Sequence, residues 1–516
     1  MKKILAVFLA TIMVFATYCM PVFAENNDYS VQLYSQVTDA GSKVAKARIY
    51  LDEGQTPINI DKDTFDVRVT IKVNIGANAG KVYGTNENIN RTIVDVTSGD
   101  GYIDIYFDLD EGQGTVLTWL SEGRNYPGVL KYTVTQNKDF QVKTNDADLE
   151  TIPVSSSYKV IEDENGSAKL IDEEVDQFKS VIIENGVNYQ YYDQNKGDSL
   201  IIWFHGNGEG DVCESKNNIV QVLGNRGAAA FVTDEAQDAF GGADVMAFQA
   251  PDTWFKAEQD NLLEIVYNEI QDVVKKKGID PEKIYIAGCS AGGYMTTRML
   301  INYPNLFKAA MISCPAIKLD LLSDRGANPP TNEEIATLKN SKTAIWLVQS
   351  EDDSSVATEE CAKRMFDVLT EGQELITTRV DQEIQSGFTT QETADGKYKL
   401  SLYDNDSTDP SKLRFAEDYD QDGIPSLVTY SSHWSWIYTL RNNPSDASGT
   451  HIWQWAANYS ATKEKDQVNN PTDTVKKENT KEESVKTGDD SHLYVYGLLM
   501  ISAGWLFIKK FNASKL

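Results

Sequence analysis

Two hydrophobic rhythms divide the chain. Between residues 27 and 148, apolar and polar positions alternate. Phe65, Val67, Val69, Ile71 and Val73 interleave with Asp66, Arg68, Thr70 and Lys72, and Ile103, Ile105, Phe107 and Leu109 with Asp104, Tyr106 and Asp108. Leu130, Tyr132 and Val134 repeat the pattern. A period of two gives each strand one dry and one wet face. Several such strands separated by Gly and Asn turns predict an antiparallel sandwich over 25–150. This stretch contains no histidine and no cysteine.

From about residue 162 to 460 the rhythm changes. Short runs of buried-strand type, Leu200 to Phe204, Val245 to Phe248, Ile284 to Ala287, Ala309 to Ser313 and Ile345 to Val348, alternate with helical patterns. The clearest helix spans Asn261 to Lys277. Its Leu262, Leu263, Val266, Ile270, Val273 and Val274 form one stripe, Lys275 to Lys277 suit the C-terminal dipole, and Gly278 supplies a cap. Strands alternating with helices predict a mostly parallel sheet covered on both faces over 151–460, with functional groups at the carboxyl ends of its strands.

The two ends have different compositions. Lys2 and Lys3 precede the apolar run Ile4 to Val14, and Val22-Phe23-Ala24 has small-residue cleavage character, so 1–24 reads as a signal peptide. Residues 461–484 begin a stretch rich in Lys, Glu, Asp, Asn and Thr, which predicts a disordered linker. Residues 485–516 contain Val485-Lys486-Thr487-Gly488-Asp489, the apolar run Leu493 to Ile508, then Lys509-Lys510. That order resembles a Gram-positive cell-wall sorting signal, which implies cleavage by a sortase after Thr487 and linkage to peptidoglycan. Ser484 and Val485 stand where such motifs carry Leu-Pro. The alternative is a plain membrane anchor, with lysines on the inner side. Either reading places an exported protein at the cell surface.

The 516 residues carry a formal net charge of -29, which excludes a nucleic-acid partner and suits a well-solvated surface. Four cysteines follow the signal segment: Cys213, Cys289, Cys314 and Cys361. Such sparse usage means that disulfides do not hold the fold together. Cys289 and Cys314 each follow a strand pattern and are expected near each other, as a pair or as buried thiols.

Candidate chemistry starts at Gly288-Cys289-Ser290-Ala291-Gly292, a G-x-S-x-G between a strand and a helix. Small neighbours there let a serine stand on a tight strand-to-helix turn. A serine nucleophile needs a base, and the chain has four histidines: His205, His433, His451 and His492. His433, in Ser432-His433-Trp434-Ser435-Trp436, follows Ser290 as the order Ser, acid, His requires. His451 falls in the last helical pattern, and His492 lies beyond the linker. The acid is expected after the strand ending at Gln349. Among Glu351, Asp352 and Asp353, the spacing from Ser350 and to Val356 selects Asp353, with Asp352 as runner-up. Backbone donors for a developing oxyanion are expected at Ala291 and at Gly206 and Asn207, in His205-Gly206-Asn207-Gly208-Glu209-Gly210, with His205 shaping that loop. No Walker lysine accompanies these glycines, so no phosphate cofactor is expected. Asp418, Asp420 and Asp422 mimic a calcium loop, but position twelve is Thr429 and no helical pattern flanks it; a plain acidic loop is expected and no metal assigned. Trp434 and Trp436 suit either a pocket or the core.

The segments Trp203 to Glu209, Gly288 to Met295, Tyr303 to Ala310 and His433 to Tyr438 resemble the bacterial α/β-hydrolases of the polyhydroxybutyrate-depolymerase-like esterase group. Phe65-Asp66-Val67 and Arg91-Thr92-Ile93 are similar to the immunoglobulin-like domain that precedes some secreted carboxylesterases of that group. The likeness runs from about Ala45 to Ala457. It implies hydrolysis of an ester substrate by Ser290, Asp353 and His433. The long acidic stretch 381–429 departs from the group and is expected to cover the site. A serine peptidase with the same triad and a non-catalytic adhesion protein on the same fold are the alternatives.

Overall fold

The computed structural model describes residues 28–460 apart from 75–81, 121–122, 147, 185–186, 212–214, 216, 322–325 and 418–424. The signal-peptide, linker and anchor readings, the calcium-like loop with Asp418, Asp420 and Asp422, and Cys213 lie outside the described residues. No helix among the described residues is long and apolar enough to cross a membrane.

The alternating segments form antiparallel strands around one apolar core. Phe65–Asn74 buries Phe65, Val67, Val69, Ile71 and Val73, and pairs with Val129–Gln136 and Val82–Asn90. A second sheet runs Ile93–Gly99, Tyr102–Phe107, Gly41–Tyr50, Asp28–Thr38. The short strands Ser157–Val160 and Leu170–Ile171 join its edge parallel to Asp28–Thr38, so the N-terminal sheets draw on chain beyond residue 150. Their side chains are largely polar or half-buried, which hid them from periodicity.

The second region is an α/β-hydrolase fold. Its strands are β1 (Phe178–Val181), β2 (Asn188–Tyr192), β3 (Ser199–Phe204), β4 (Ala243–Gln249), β5 (Ile284–Cys289), β6 (Ala309–Ser313), β7 (Ala344–Ser350), β8 (Leu375–Val380), β9 (Phe388–Thr393) and β10 (Tyr398–Tyr403). They lie in the order β1-β2-β4-β3-β5-β6-β7-β10-β9-β8, and the six from β4 to β10 in that order are parallel. Helix α1 (Leu262–Lys277) buries Leu262, Leu263, Val266, Ile270 and Val273 against one face. It stops at Gly278, whose φ of 73° turns its N–H onto the Val274 carbonyl. Helix α2 (Ala291–Asn302) follows β5. Helices α3 (Trp436–Leu440) and α4 (Ile452–Asn458) cover the opposite face with Trp453 and Trp455.

Residues 381–429 differ from the expected cover. Their first part supplies β9 and β10, which extend the main sheet. Polar residues occupy these strands because they pair inside: Thr390 bonds Ser401 at 2.7 Å, and buried Lys399 meets Glu392 and, at 3.0 Å, Asp446. Lys412–Glu417 and Ser426–Ser431 form a separate antiparallel hairpin that leads straight into His433.

The N-terminal sheets are joined to this fold by buried charge. Asp39, in the turn between Asp28–Thr38 and Gly41–Tyr50, is fully buried and pairs with Arg226 and Arg441. Arg441 caps α3 and also meets Glu417 at the end of the hairpin strand. A second junction runs through the short strands Leu117–Trp119 and Asn125–Pro127. Here Arg124 pairs with Asp252 at 3.0 Å, and the Asn125 Nδ2 group donates to Glu209 at 3.0 Å.

Candidate active site

Ser290 stands between β5 and α2 with φ 53° and ψ -117°, a backbone conformation costly for any L-residue other than glycine. Its neighbours have no room for side chains. A Cβ at Gly292 would sit 2.0 Å from the Phe204 carbonyl oxygen, and one at Gly288 would sit 2.4 Å from Thr296 Oγ1. The crowding of small residues around the serine is therefore a close-approach requirement: α2 begins in contact with the end of β3.

The imidazole of His433 bridges two groups that β5 and β7 present. Its Nε2 lies 3.0 Å from Ser290 Oγ, and its Nδ1 lies 2.8 Å from Asp353 Oδ2. The Asp353 side chain has no solvent exposure, and four donors hold it. The N–H groups of Ser355 and Val356 both donate to Oδ1 at 2.8 Å, Gln349 Nε2 donates to Oδ2, and His433 Nδ1 reaches both oxygens, Oδ2 at 2.8 Å and Oδ1 at 3.0 Å. Val356, which the spacing used to choose among the three acids, thus orients the chosen one directly. Ser350 Oγ donates to the Ser432 carbonyl at 2.5 Å, and Ser432 Oγ to the Asp352 carbonyl at 3.0 Å, tying the acid loop to the histidine turn. Asp352 takes no part in the line.

The remaining histidines divide as expected. His205 is buried, and Nε2 accepts from the Ala250 N–H at 3.0 Å. Nδ1 must then carry the proton, and it donates to the Gly206 carbonyl at 2.5 Å. Burial holds this ring neutral, with its pKa down at about 3. His451 is the N-cap of α4 and bonds Asn442, with no tie to Ser290. His492 lies outside the described residues.

A match to the prolyl oligopeptidase family covers residues 256–399, a span that contains Ser290 and Asp353 but ends before His433. The chain is similar in structure to a thermostable esterase, with a TM-score of 0.55 and 20% identity, over 80% of this chain and 96% of that one. It also aligns with an acetyl xylan esterase from Aspergillus awamori (TM-score 0.33, 16% identity, 44% and 91% covered) and with the Pyrococcus horikoshii acylaminoacyl peptidase (0.28, 16%, 65% and 53%). No curated protein matches the chain in sequence. The chain is a serine hydrolase.

The backbone donors around Ser290 are arranged differently from expectation in one respect. Among the described residues, the N–H groups of Ala291 and Asn207 form no hydrogen bond, as a pair awaiting an oxyanion should. The Gly206 N–H instead faces the carboxyl group of Glu209. Glu209 carried no signal in sequence, since its partners come from its own turn and from Asn125, over eighty residues earlier.

Burial lowers the His433 pKa, whereas the Cys314 sulfur and the Asp353 carboxylate raise it; the upward effects win, and the ring titrates above an ordinary histidine. Cys314 Sγ, Asp353 and His433 place their polar atoms within 4.8 Å of one another, and the thiol donates to the His433 carbonyl at 3.4 Å. Cys289, Cys314 and Cys361 are buried free thiols. Trp436 packs edge-on against His433 at 5.3 Å between ring centroids, and Trp434 stacks on Tyr430. A small cleft borders the Gly206–Cys289 edge, lined further by Trp203, Glu209, Gln221 and Trp436.

Proposed function

We propose that the chain is a carboxylesterase that forms an acyl-enzyme on Ser290. The hydrogen-bonded line Asp353–His433–Ser290, with unbonded N–H groups at Ala291 and Asn207, is the observation that supports it most directly. His433 Nε2 takes the Ser290 Oγ proton as Oγ attacks the ester carbonyl carbon. The carbonyl electrons move onto oxygen, where the two N–H groups stabilise them. Collapse breaks the bond to the alcohol, which leaves with the proton from His433. A water then gives its proton to His433 and attacks the acyl carbon. Ser290 regains the proton as the acid departs. Asp353 holds the Nδ1–H tautomer and stabilises the imidazolium throughout.

One observation supports an ester over an amide: the alignment with a thermostable esterase spans nearly that whole protein. The match to the prolyl oligopeptidase family favours the second reading, a serine peptidase on the same triad. Initial rates on p-nitrophenyl esters from acetate to octanoate, beside a peptide anilide, separate the two. Ester turnover that drops by about 10³-fold or more in Ser290→Ala supports the esterase. Anilide cleavage without ester turnover assigns the peptidase, and silence on both in a folded protein favours adhesion.

The antiparallel N-terminal strands around one core support an immunoglobulin-like assignment for that region. We also propose export and surface display, a reading that Lys2-Lys3, Val22-Phe23-Ala24 and the segment from Val485 to Lys510 support. Proteolytic shaving of intact cells should release Ser290-dependent activity; activity found only after lysis would refute display.

A further inference from the structure

Glu209 has no step in the chemistry above, yet it stands where the N-terminal strands reach the loop beside the nucleophile. It closes the 3₁₀ turn Asn207–Glu209, with its N–H directed to the Gly206 carbonyl at 3.3 Å. Its carboxyl group folds back into that turn. One oxygen lies 3.3 Å from where a Gly206 Cβ would be and the other accepts from Asn125 Nδ2 at 3.0 Å. The Gly206 N–H and the Glu209 N–H both face the same carboxyl group. Gly206 is itself pressed against the nucleophile, its Cβ position 3.9 Å from Ser290 Cβ.

These contacts hold Gly206 from both sides. Its carbonyl accepts from His205 Nδ1 and from the Glu209 N–H, and its N–H faces both the Glu209 carboxyl group and the Cys289 sulfur. The peptide from Gly206 to Asn207 is planar and trans, so fixing the carbonyl direction also fixes the opposed N–H of Asn207. That N–H is one of the two unbonded donors beside Ser290. A glycine without these holds would rotate freely, and the donor would lose its direction.

We infer that Glu209 is the positioning residue of the oxyanion loop, and that Asn125 of the N-terminal region anchors it there. The inference rests on the serine chemistry proposed above. The ionised carboxylate is the form that best accepts from Asn125 and faces the Gly206 N–H. Burial pushes its pKa up to about 7, against the pull of the Asn125 hydrogen bond, the Arg124 charge and the two N–H groups. Arg124, neutral His205 and the Cys289 thiol are the charged or titratable groups that face it. The loop is therefore set as pH rises through about 7 and slackens below it.

The test compares the full chain with Glu209→Ala, Glu209→Gln, Asn125→Asp and Asn125→Leu. Two readouts are taken from about pH 5.5 to 9.5: kcat and KM on p-nitrophenyl acetate, and the second-order rate of Ser290 phosphonylation by a p-nitrophenyl phosphonate. Glu209→Ala should lower kcat by ~10²-fold or more with KM nearly unchanged, because the donors act on the developing charge. Glu209→Gln, which keeps one acceptor oxygen, should recover much of that loss and abolish the limb near pH 7. Asn125→Asp sets a second carboxylate against Glu209 and should move that limb upward, whereas Asn125→Leu should lower kcat without adding a charge. A limb near pH 7 that persists in Glu209→Gln, as distinct from the His433 limb at about 10, or that stays in place in Asn125→Asp, overturns the inference, as does Glu209→Ala with wild-type kcat. Phosphonylation needs no ester substrate. Failure of ester turnover with intact labelling therefore strikes the esterase reading alone, and failure of wild-type labelling overturns both.

Discussion

Asp353→Asn isolates what the carboxylate does for His433. The geometry dictates how the asparagine sits. The backbone N–H groups of Ser355 and Val356 both need an acceptor at the Oδ1 position, so the amide oxygen stays there. The NH₂ group then replaces Oδ2 and faces two donors, Gln349 Nε2 and His433 Nδ1–H. The imidazole escapes the clash by moving its proton to Nε2, where it points at Ser290 and cannot take that proton. Losing a hydrogen bond to a charged acceptor costs about 1.5–3 kcal/mol, and a mismatched buried donor about 1–3 kcal/mol. The sum, roughly 3–6 kcal/mol, corresponds to a fall in kcat of about 10²- to 10⁴-fold at 1.36 kcal/mol per decade. The assay is kcat on a short p-nitrophenyl ester, with urea unfolding as a check that the fold survives. Asp352→Asn serves as the control, since its side chain is outside the line. Activity within tenfold of wild type in Asp353→Asn, or a deeper loss in Asp352→Asn, would refute the reasoning.

Three further predictions concern other parts of the molecule. His433 works as a base only when neutral and its folded pKa lies above 6.5, so kcat/KM should climb as pH rises through a value above 6.5; Asp353→Asn should move the limb of its residual activity down. By the same sign, the stabilisation from the charged His433–Asp353 pair is complete below pH 6.5 and is lost as pH rises through the folded value, which denaturant midpoints across pH would show. Gly292→Ala forces a Cβ to within 2.0 Å of the Phe204 carbonyl; a loss of ~3 kcal/mol or more should appear as a lower melting temperature, and an unchanged one would mean that α2 can shift. Lys399→Met strands Glu392 and Asp446 without their cation and should cost about 3–5 kcal/mol in urea unfolding, much of it recovered when both acids are also made amides.

The hydrogen-bonded line Asp353–His433–Ser290 was legible because its parts leave local marks. A nucleophile on a tight turn needs glycines within two residues, and Gly288 and Gly292 are visible as a motif for the reason their missing Cβ atoms reveal. Asp353 could be chosen because Val356, three residues on, contributes the N–H that orients it. Strands β3 to β7 and helix α1 were legible because both the parallel core and the amphipathic stripe are written in apolar spacing. What stayed hidden is polar and non-local. Strands β9 and β10 satisfy Thr390, Glu392 and Lys399 with each other and with Ser401 and Asp446, so their buried face reads as solvent-exposed. Glu209 takes its direction from Asn125, a residue of another sheet system, and no spacing within the motif announces it. Gly206 looked like a donor to the oxyanion because the glycine loop was placed correctly; which of its N–H groups remains unbonded depends on that distant asparagine.

The buried Asp39 cluster bears on how such a chain is made. Asp39 lies in the turn between the first two described strands, whereas Arg441 emerges near the end of the folded region. Until that arginine docks, a carboxylate destined for the interior keeps its water, and the surface around it cannot close. Glu417 and Arg441 bracket His433 in the sequence, so the segment that seals the cluster also delivers the base. A chain still emerging from the ribosome would already hold Ser290 yet lack the segment that carries His433. Activity by the proposed route thus requires the same C-terminal segment that closes the Asp39 cluster.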